Sequence, residues 1–252
     1  MKNLWIVLLI AAMFGCKKEK VPAPEEKTPP SLITEMEYRY NNENPEVTKI
    51  SYDAQGRISI CIKGEKKDVF NYKTPVTLQV SRYRTSDNKP EHIVDCILNA
   101  AGAITKEQYR SVADNTIFYT YQYSYNAEGY LALVEGFSNS GTYKVEFQYS
   151  DGQLTQTKSY TDNVYRYTDH FKYDLSVSDK IKLPFWSHWP SSTLFGKPQQ
   201  YALVEVKEFD AANKPVLHWT LSYQYDAATK ILTNTWQSQL NNNVQQYRYK
   251  FY

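Results

Sequence analysis

The chain has 252 residues and nearly balanced charge, 29 Lys and Arg against 27 Asp and Glu, for a formal net charge of +2. No Lys/Arg block stands outside the N-terminal linker, so a nucleic-acid partner has no electrostatic footprint and is excluded. The length beyond that linker suits one large β domain or two small ones.

The N-terminal "MKNLWIVLLIAAMFGC" joins one Lys, a short apolar run and a small residue, Gly15, to Cys16. Residues 1–15 read as a secretory signal peptide, too short and too abruptly ended for a spanning helix. The Cys at the cleavage point resembles a bacterial lipobox, which implies lipidation of Cys16, although Met13 and Phe14 depart from the usual Leu and small residue. Two or more acyl chains would anchor the protein stably in a membrane. Residues 16–31 then form a flexible Pro/Lys/Glu tether with almost nothing to bury. In a polyproline II conformation, at roughly 3.1 Å per residue, it reaches up to about 45 Å from the membrane.

From residue 32 the pattern has a period of two. Tyrosine accounts for 23 of the 252 residues, and its spacing is more telling than its number. In "IFYTYQYSYN" (117–126) Tyr119, Tyr121, Tyr123 and Tyr125 alternate with Phe118, Thr120, Gln122 and Ser124. "WTLSYQYD" (219–226) and the C-terminal "QYRYKFY" repeat the alternation. Each predicts a pleated strand with one aromatic and one polar face. Short breaks such as "DAQG", "NAAG", "NAEG", "SDG" and "LNNN" recur about every 10–14 residues, too often for parallel crossovers. Asp53, Gly56, Gly102, Asn126, Gly129, Asp151 and Gly152 are the turn-forming residues, the glycines supplying positive φ. The prediction is an all-β fold of 32–252, a single antiparallel meander of roughly 14 or 15 strands curled into a barrel or half-barrel. About two such strands separate Cys61 from Cys96, which argues for two semi-buried free thiols rather than a disulfide.

One stretch breaks the alternation: "SDKIKLPFWSHWPSSTLFGKPQQ" (178–200). Its "SSTLFGKP" predicts a short helical piece ended by Gly196 and barred by Pro198. Phe185, Trp186, His188 and Trp189 are candidate ligand-binding residues, because aromatic platforms stack on sugars and apolar ligands while an imidazole adds a polar contact. The structural alternative is a plug, with Leu194 and Phe195 also filling an open barrel end.

No catalytic constellation stands out, so no catalytic residue, metal site or cofactor is assigned. "GFSNSG" (136–141) approaches a nucleophile elbow, but strands flank it on both sides and its Ser–Gly spacing is wrong. His92, His170, His188 and His218 lack ligand spacing, and the turn residues Asp53, Asp151, Asp210 and Asp226 come singly rather than as a calcium loop. Glu35 with Glu37 and Glu205 with Glu208 are the close carboxylate pairs, the first read as the polar face of an edge strand.

The lipobox, the tether, the repeated "Y-x-Y-D-x-x-G-x-[IL]" phrase and the "LFGKP" insert before "EFDAANKPV" and "YQYDAATKIL" together resemble Bacteroides-type outer-membrane lipoproteins. These carry a domain of unknown function with a porin-like fold. The phrase is also similar to the tyrosine-aspartate repeats of large secreted β-shell proteins, although the Gly is missing from the last two units. The first resemblance implies a barrel-like domain lipid-anchored at the outer membrane, on its periplasmic face or at the cell surface, and carries over no site residues. The expected function is a non-enzymatic accessory protein anchored through Cys16, with a small glycan or lipid-like molecule as candidate ligand. An integral outer-membrane barrel and a glycan-active enzyme are the alternatives.

Overall fold

The computed structural model describes residues 32–183, 189–191 and 194–252. The expected leader (1–15), Cys16 and its tether lie outside the described residues, as do Phe185, Trp186 and His188.

Sixteen strands follow one another along the chain: β1 (Ile33–Tyr40), β2 (Glu46–Tyr52), β3 (Ile58–Lys63), β4 (Lys66–Thr74), β5 (Thr77–Arg84), β6 (Pro90–Leu98), β7 (Ile104–Ser111) and β8 (Ile117–Tyr125). After them come β9 (Leu131–Ser138), β10 (Gly141–Ser150), β11 (Gln153–Thr161), β12 (Val164–Ser178), β13 (Tyr201–Asp210), β14 (Pro215–Asp226), β15 (Ile231–Ser238) and β16 (Val244–Phe251). Each pairs antiparallel with its sequence neighbours, and β1 pairs with β16, so the sheet is a closed barrel. The strand count exceeds the sequence expectation partly because the β4–β5 turn carries no Gly, Asn or Asp. It is held by a 2.7 Å hydrogen bond between the Thr74 and Thr77 hydroxyls. Closure also corrects the reading of Glu35 and Glu37: β1 is no edge, since Tyr38 faces Tyr247 and Met36 faces Tyr249 across the seam.

The repeated turns share one mechanism. Asp53 Oδ1 accepts the amides of Gln55 and Arg57 at 3.0 and 2.9 Å, while Gly56 takes the left-handed position at φ +74°. Asn99, Asn126 and Asp210 accept the amides two and four residues on in the same way. Gly102 and Gly129 fill the left-handed position in two of these, and Asn213, at φ +58°, fills it in the unit that lacks glycine. Asp151 and Gly152 both have positive φ in the tight β10–β11 hairpin. A register shift accompanies several turns, at Ser51/Tyr52, Ile97/Leu98 and Ser124/Tyr125. Such a bulge follows when a left-handed residue closes a type I turn. The Tyr ahead of the turn also has a task. Tyr52 and Tyr125 donate to the carbonyls of Ile33 and Ile104, at 2.8 and 2.6 Å, at the start of the preceding strand, and Tyr223, further back on β14, donates to Leu203 O at 2.8 Å.

Among the described residues no second layer covers the barrel, so the buried face of each strand is the inner one. Two ends differ. At the end holding both termini and the insert, Ile58, Leu78, Leu98, Ile104, Leu131, Leu154 and Leu232 form a buried ring around Leu194 and Phe195. Leu194 O accepts the Ile104 amide at 2.8 Å, and the Lys197 amide donates to Gly129 O at 3.0 Å. Trp189 is buried, its indole N–H donating to Asp68 Oδ2 at 3.2 Å and its ring meeting Phe70 edge-on at 5.2 Å. The insert therefore plugs this end. No helix occurs among its described residues: Leu194–Gly196 form a turn, because Phe195 and Leu194 must reach into the ring rather than wind on. Gly196 sits at φ +85°, where a Cβ would lie 2.8 Å from the Tyr125 ring and 2.9 Å from Gly129 O.

The outer face carries ion pairs beside exposed apolar side chains such as Ile97 and Phe137. Glu37 pairs with Arg39 and Arg248 at 3.4 and 3.2 Å, Asp95 with Arg110 at 3.0 Å, Lys144 with Glu146 at 2.9 Å, and Glu205 with Lys207 at 2.6 Å. Cys61 and Cys96 are buried free thiols.

Trp189→Ala empties a filled site and removes a donor from buried Asp68. It is expected to cost about 3–5 kcal/mol of stability, measured by denaturant unfolding. A loss below about 1 kcal/mol would contradict the plug.

Candidate functional site

Away from the plug the inner face changes character. Tyr38, Tyr40, Tyr119, Tyr143, Trp236, Gln245 and Tyr247 face inward yet are only half-buried, so solvent enters this half of the barrel. A sixteen-stranded barrel is too wide for side chains alone to fill, which is why one half needs the insert and the other stays open.

Two aromatic walls line the open half. On one, Trp219, Trp236, Tyr247 and Tyr38 run across β14, β15, β16 and β1, with successive centroids 6.5, 5.9 and 5.0 Å apart. On the other, Tyr109, Tyr119 and Tyr121 cluster on β7 and β8, with Tyr119 and Tyr121 at 4.5 Å. Gly136 on β9 makes room for them, since a Cβ there would lie 3.0 Å from the Tyr119 hydroxyl. The nucleophile-elbow resemblance ends here: "GFSNSG" is the β9–β10 hairpin, and its Ser138 and Ser140 hydroxyls bond each other at 2.8 Å.

Charged inner side chains are grouped. Arg82 grips Asp68 through two bonds of 2.6 and 2.7 Å. Glu107, with no exposed surface, accepts the Tyr123 hydroxyl at 3.0 Å. Asp169 and Glu208 stand opposite each other on β12 and β13 and are hydrogen-bonded to one another, and Thr157 also donates to Asp169. Burial raises both carboxyls, and with the Asp169 charge beside it Glu208 is pushed up to about 7. Glu208 is thus the protonated member and donates to Asp169. Burial and the Arg82 charge hold His92 down.

The carboxylate pairs read from sequence spacing do not form. Glu205 points outward to Lys207 and His218, and Glu208 inward, so the partner of Glu208 is Asp169, a residue distant in sequence. The alternation of β13 carried that signal, since it separates Glu205 from Glu208 by face. Of the candidate ligand-binding residues, Trp189 is described and belongs to the plug. The open half, lined by the inward faces of the Tyr-rich strands, is the better site.

A closed meander of this kind, plugged at one end and open at the other, defines a porin-like barrel. Residues 50–249 match the family described as a domain of unknown function (DUF4595) with porin-like fold, and the chain belongs to that family. It is similar to the crystal structure of a porin-like protein from Bacteroides uniformis ATCC 8492, with a TM-score of 0.58, 16% identity, 89% of this chain and 98% of that one covered. A second, from Bacteroides vulgatus ATCC 8482, gives a TM-score of 0.61, 10% identity, and coverage of 88% and 99%. At these identities the likeness is one of fold. No curated protein matches the chain.

The raised carboxyls make stability pH-dependent. Glu208 titrates at about 7 when folded against an ordinary 4.5, and Asp179, buried beside the plug, at about 6 against 3.8. Each binds its proton more tightly in the folded chain, so its contribution is full below the ordinary value and is lost as pH rises through the folded one. The thermal midpoint should fall between about pH 5 and pH 8, and Glu208→Gln should flatten that fall, leaving the share of Asp179. A midpoint that rises over this interval would contradict the assignment.

Proposed function

We propose that this is a non-enzymatic, envelope-anchored binding protein, held at the outer membrane through a lipidated Cys16 and the 16–31 tether, that takes a small glycan in the open half of its barrel. The observation that carries the reading is the coexistence of stacked aromatic walls with solvent access and inward hydrogen-bonding groups. Sugars present apolar C–H faces to rings and hydroxyls to polar groups. Tyr hydroxyls, an amide and carboxyls on the inner face favour such a ligand over a lipid-like one.

Two rival readings fare worse. An integral barrel would turn Arg39, Arg110, Lys144, Lys207 and Arg248 toward lipid, at about 2–4 kcal/mol for each one near the midplane. A glycosidase needs two carboxyls roughly 5–9.5 Å apart flanking a sugar, whereas Asp169 and Glu208 are spent on each other.

In cell fractionation the natural chain should follow the membranes, and Cys16→Ala should appear in the aqueous fraction without detergent. Cys16→Ala that still requires detergent would favour the integral barrel. The ligand half of the reading is tested by calorimetry of the purified chain against a panel of oligosaccharides, and it fails if none binds.

A further inference from the structure

The inner face running from β14 through β15 and β16 to β1 differs from the rest of the interior. Along it Leu217, Trp219, Leu221 and Tyr223 are followed by Leu232, Asn234, Trp236 and Ser238, then Gln245, Tyr247, Tyr249 and Phe251, then Met36 and Tyr38. None is ionisable near neutral pH, while the inner charges lie on other strands: Asp68 and Arg82 on β4 and β5, Glu107 on β7, and Asp169 and Glu208 on β12 and β13. Two carboxyls border the wall at its ends, Asp179 near Tyr223 and Tyr249 at the plugged end and Glu46, paired with Lys63, opposite Tyr38 on β2.

Two polar atoms on this wall lack a partner. Asn234 is 3% exposed; its amide hydrogen-bonds the Tyr223 hydroxyl, and its Oδ1 accepts nothing. The indole N–H of Trp236 donates to nothing, although both flanking rings, Trp219 and Tyr247, are in contact with it. An unmade hydrogen bond in a buried position costs about 1–3 kcal/mol, so two on one strand, two residues apart, call for an explanation. They lie where buried side chains (Tyr249, Leu221, Trp219, Ser238) adjoin half-buried ones (Trp236, Tyr247, Tyr38). Gln153 and the inward His92 Nε2 are orphaned as well, but Gln153 lies beside the Asp151–Gly152 turn at the plugged end and His92 stands opposite Arg82 among the inner charges.

We propose that the β14–β1 wall is a subsite for a neutral saccharide, which stacks on Trp236, Tyr247 and Tyr38 while its hydroxyls accept from the Trp236 N–H and donate to Asn234 Oδ1. This rests on the glycan reading above and adds its location and charge class. The orphans are one donor and one acceptor, both uncharged, which matches the hydroxyl of a sugar rather than a carboxylate or sulfate. An anionic glycan would find no cation on this wall. Both orphan atoms are covered by neighbouring side chains, so a hydroxyl reaches them only when a ring turns aside, and binding must change the surroundings of Trp236.

The test titrates the purified full chain, by calorimetry and tryptophan fluorescence, with cellohexaose, xylohexaose and N-acetylchitohexaose as neutral probes and a hexagalacturonate as the anionic one. Two variants accompany it. Trp236→Phe keeps an aromatic ring and loses the donor, and Asn234→Leu replaces the orphan acceptor at similar volume, giving up the amide's bond to the Tyr223 hydroxyl as well. The expected result is that a neutral probe binds with a shift in tryptophan emission, and that either variant weakens it by about tenfold while remaining folded by circular dichroism. If a neutral probe binds and both folded variants match the natural chain within about twofold, the subsite is wrong and the glycan reading stands. Binding of the anionic probe alone also overturns the subsite and leaves that reading intact. If no saccharide binds, both fail.

Discussion

Pairing of β1 with β16 is the constraint from which the rest of the structure follows. With the seam closed, Tyr252 N–H donating to Leu32 O at 2.9 Å and Ile33 facing Phe251, no strand edge among the described residues is left exposed to other chains. Closure over sixteen strands has a cost of its own, because it encloses more volume than inward side chains fill. The chain meets it unevenly. The described insert residues Trp189, Leu194 and Phe195 complete a hydrophobic core at one end, and the other end is left to water and large aromatic rings. Tyr suits that boundary, since its ring covers apolar surface while its hydroxyl finds a carbonyl or carboxylate, as Tyr123 does with Glu107.

The turns serve the same geometry. A five-residue turn closed by a left-handed Gly or Asn adds a bulge to the adjoining pair, and a bulge sharpens twist and re-aims the side chain beside it. Tyr52, Leu98 and Tyr125 stand at such shifts. Two of them aim inward and donate to the preceding strand's first carbonyl, so the repeated Tyr-Asp/Asn-x-x-Gly phrase encodes turn, bulge and crosslink together. Its repetition reflects the repetition of hairpins and marks no ligand site.

This explains what was legible in the sequence. Alternation of Tyr119, Tyr121, Tyr123 and Tyr125 reveals strands and their buried face, because the period of two is a property of the backbone. Turn residues are equally visible, since Asp53 and Gly56 act within five positions of each other. A strand end without Gly, Asn or Asp is not, and the Thr74–Thr77 turn is the example. The insert's role was half legible: its lost alternation marked it, but whether Trp189 met a ligand or Asp68 depended on a residue 121 positions away. The Asp169–Glu208 pair was hidden for the same reason, since barrel register rather than spacing brings the two together.

Register also sorts the interior by charge. Carboxyls inside the barrel stand beside a group that satisfies them: Arg82 for Asp68, Tyr123 for Glu107, the Ile181 amide for Asp179, and a shared proton for Asp169 and Glu208. That follows from the penalty on an unpaired buried charge, which far exceeds that on an unpaired amide. Neutral polar groups face a weaker rule, so an orphan carbonyl oxygen or indole N–H is tolerated where an orphan carboxylate is not. A fold that keeps a binding surface ready between encounters is therefore better served by uncharged groups than by charged ones. Asn234 and Trp236 meet that condition on the wall where the inner face carries no charge.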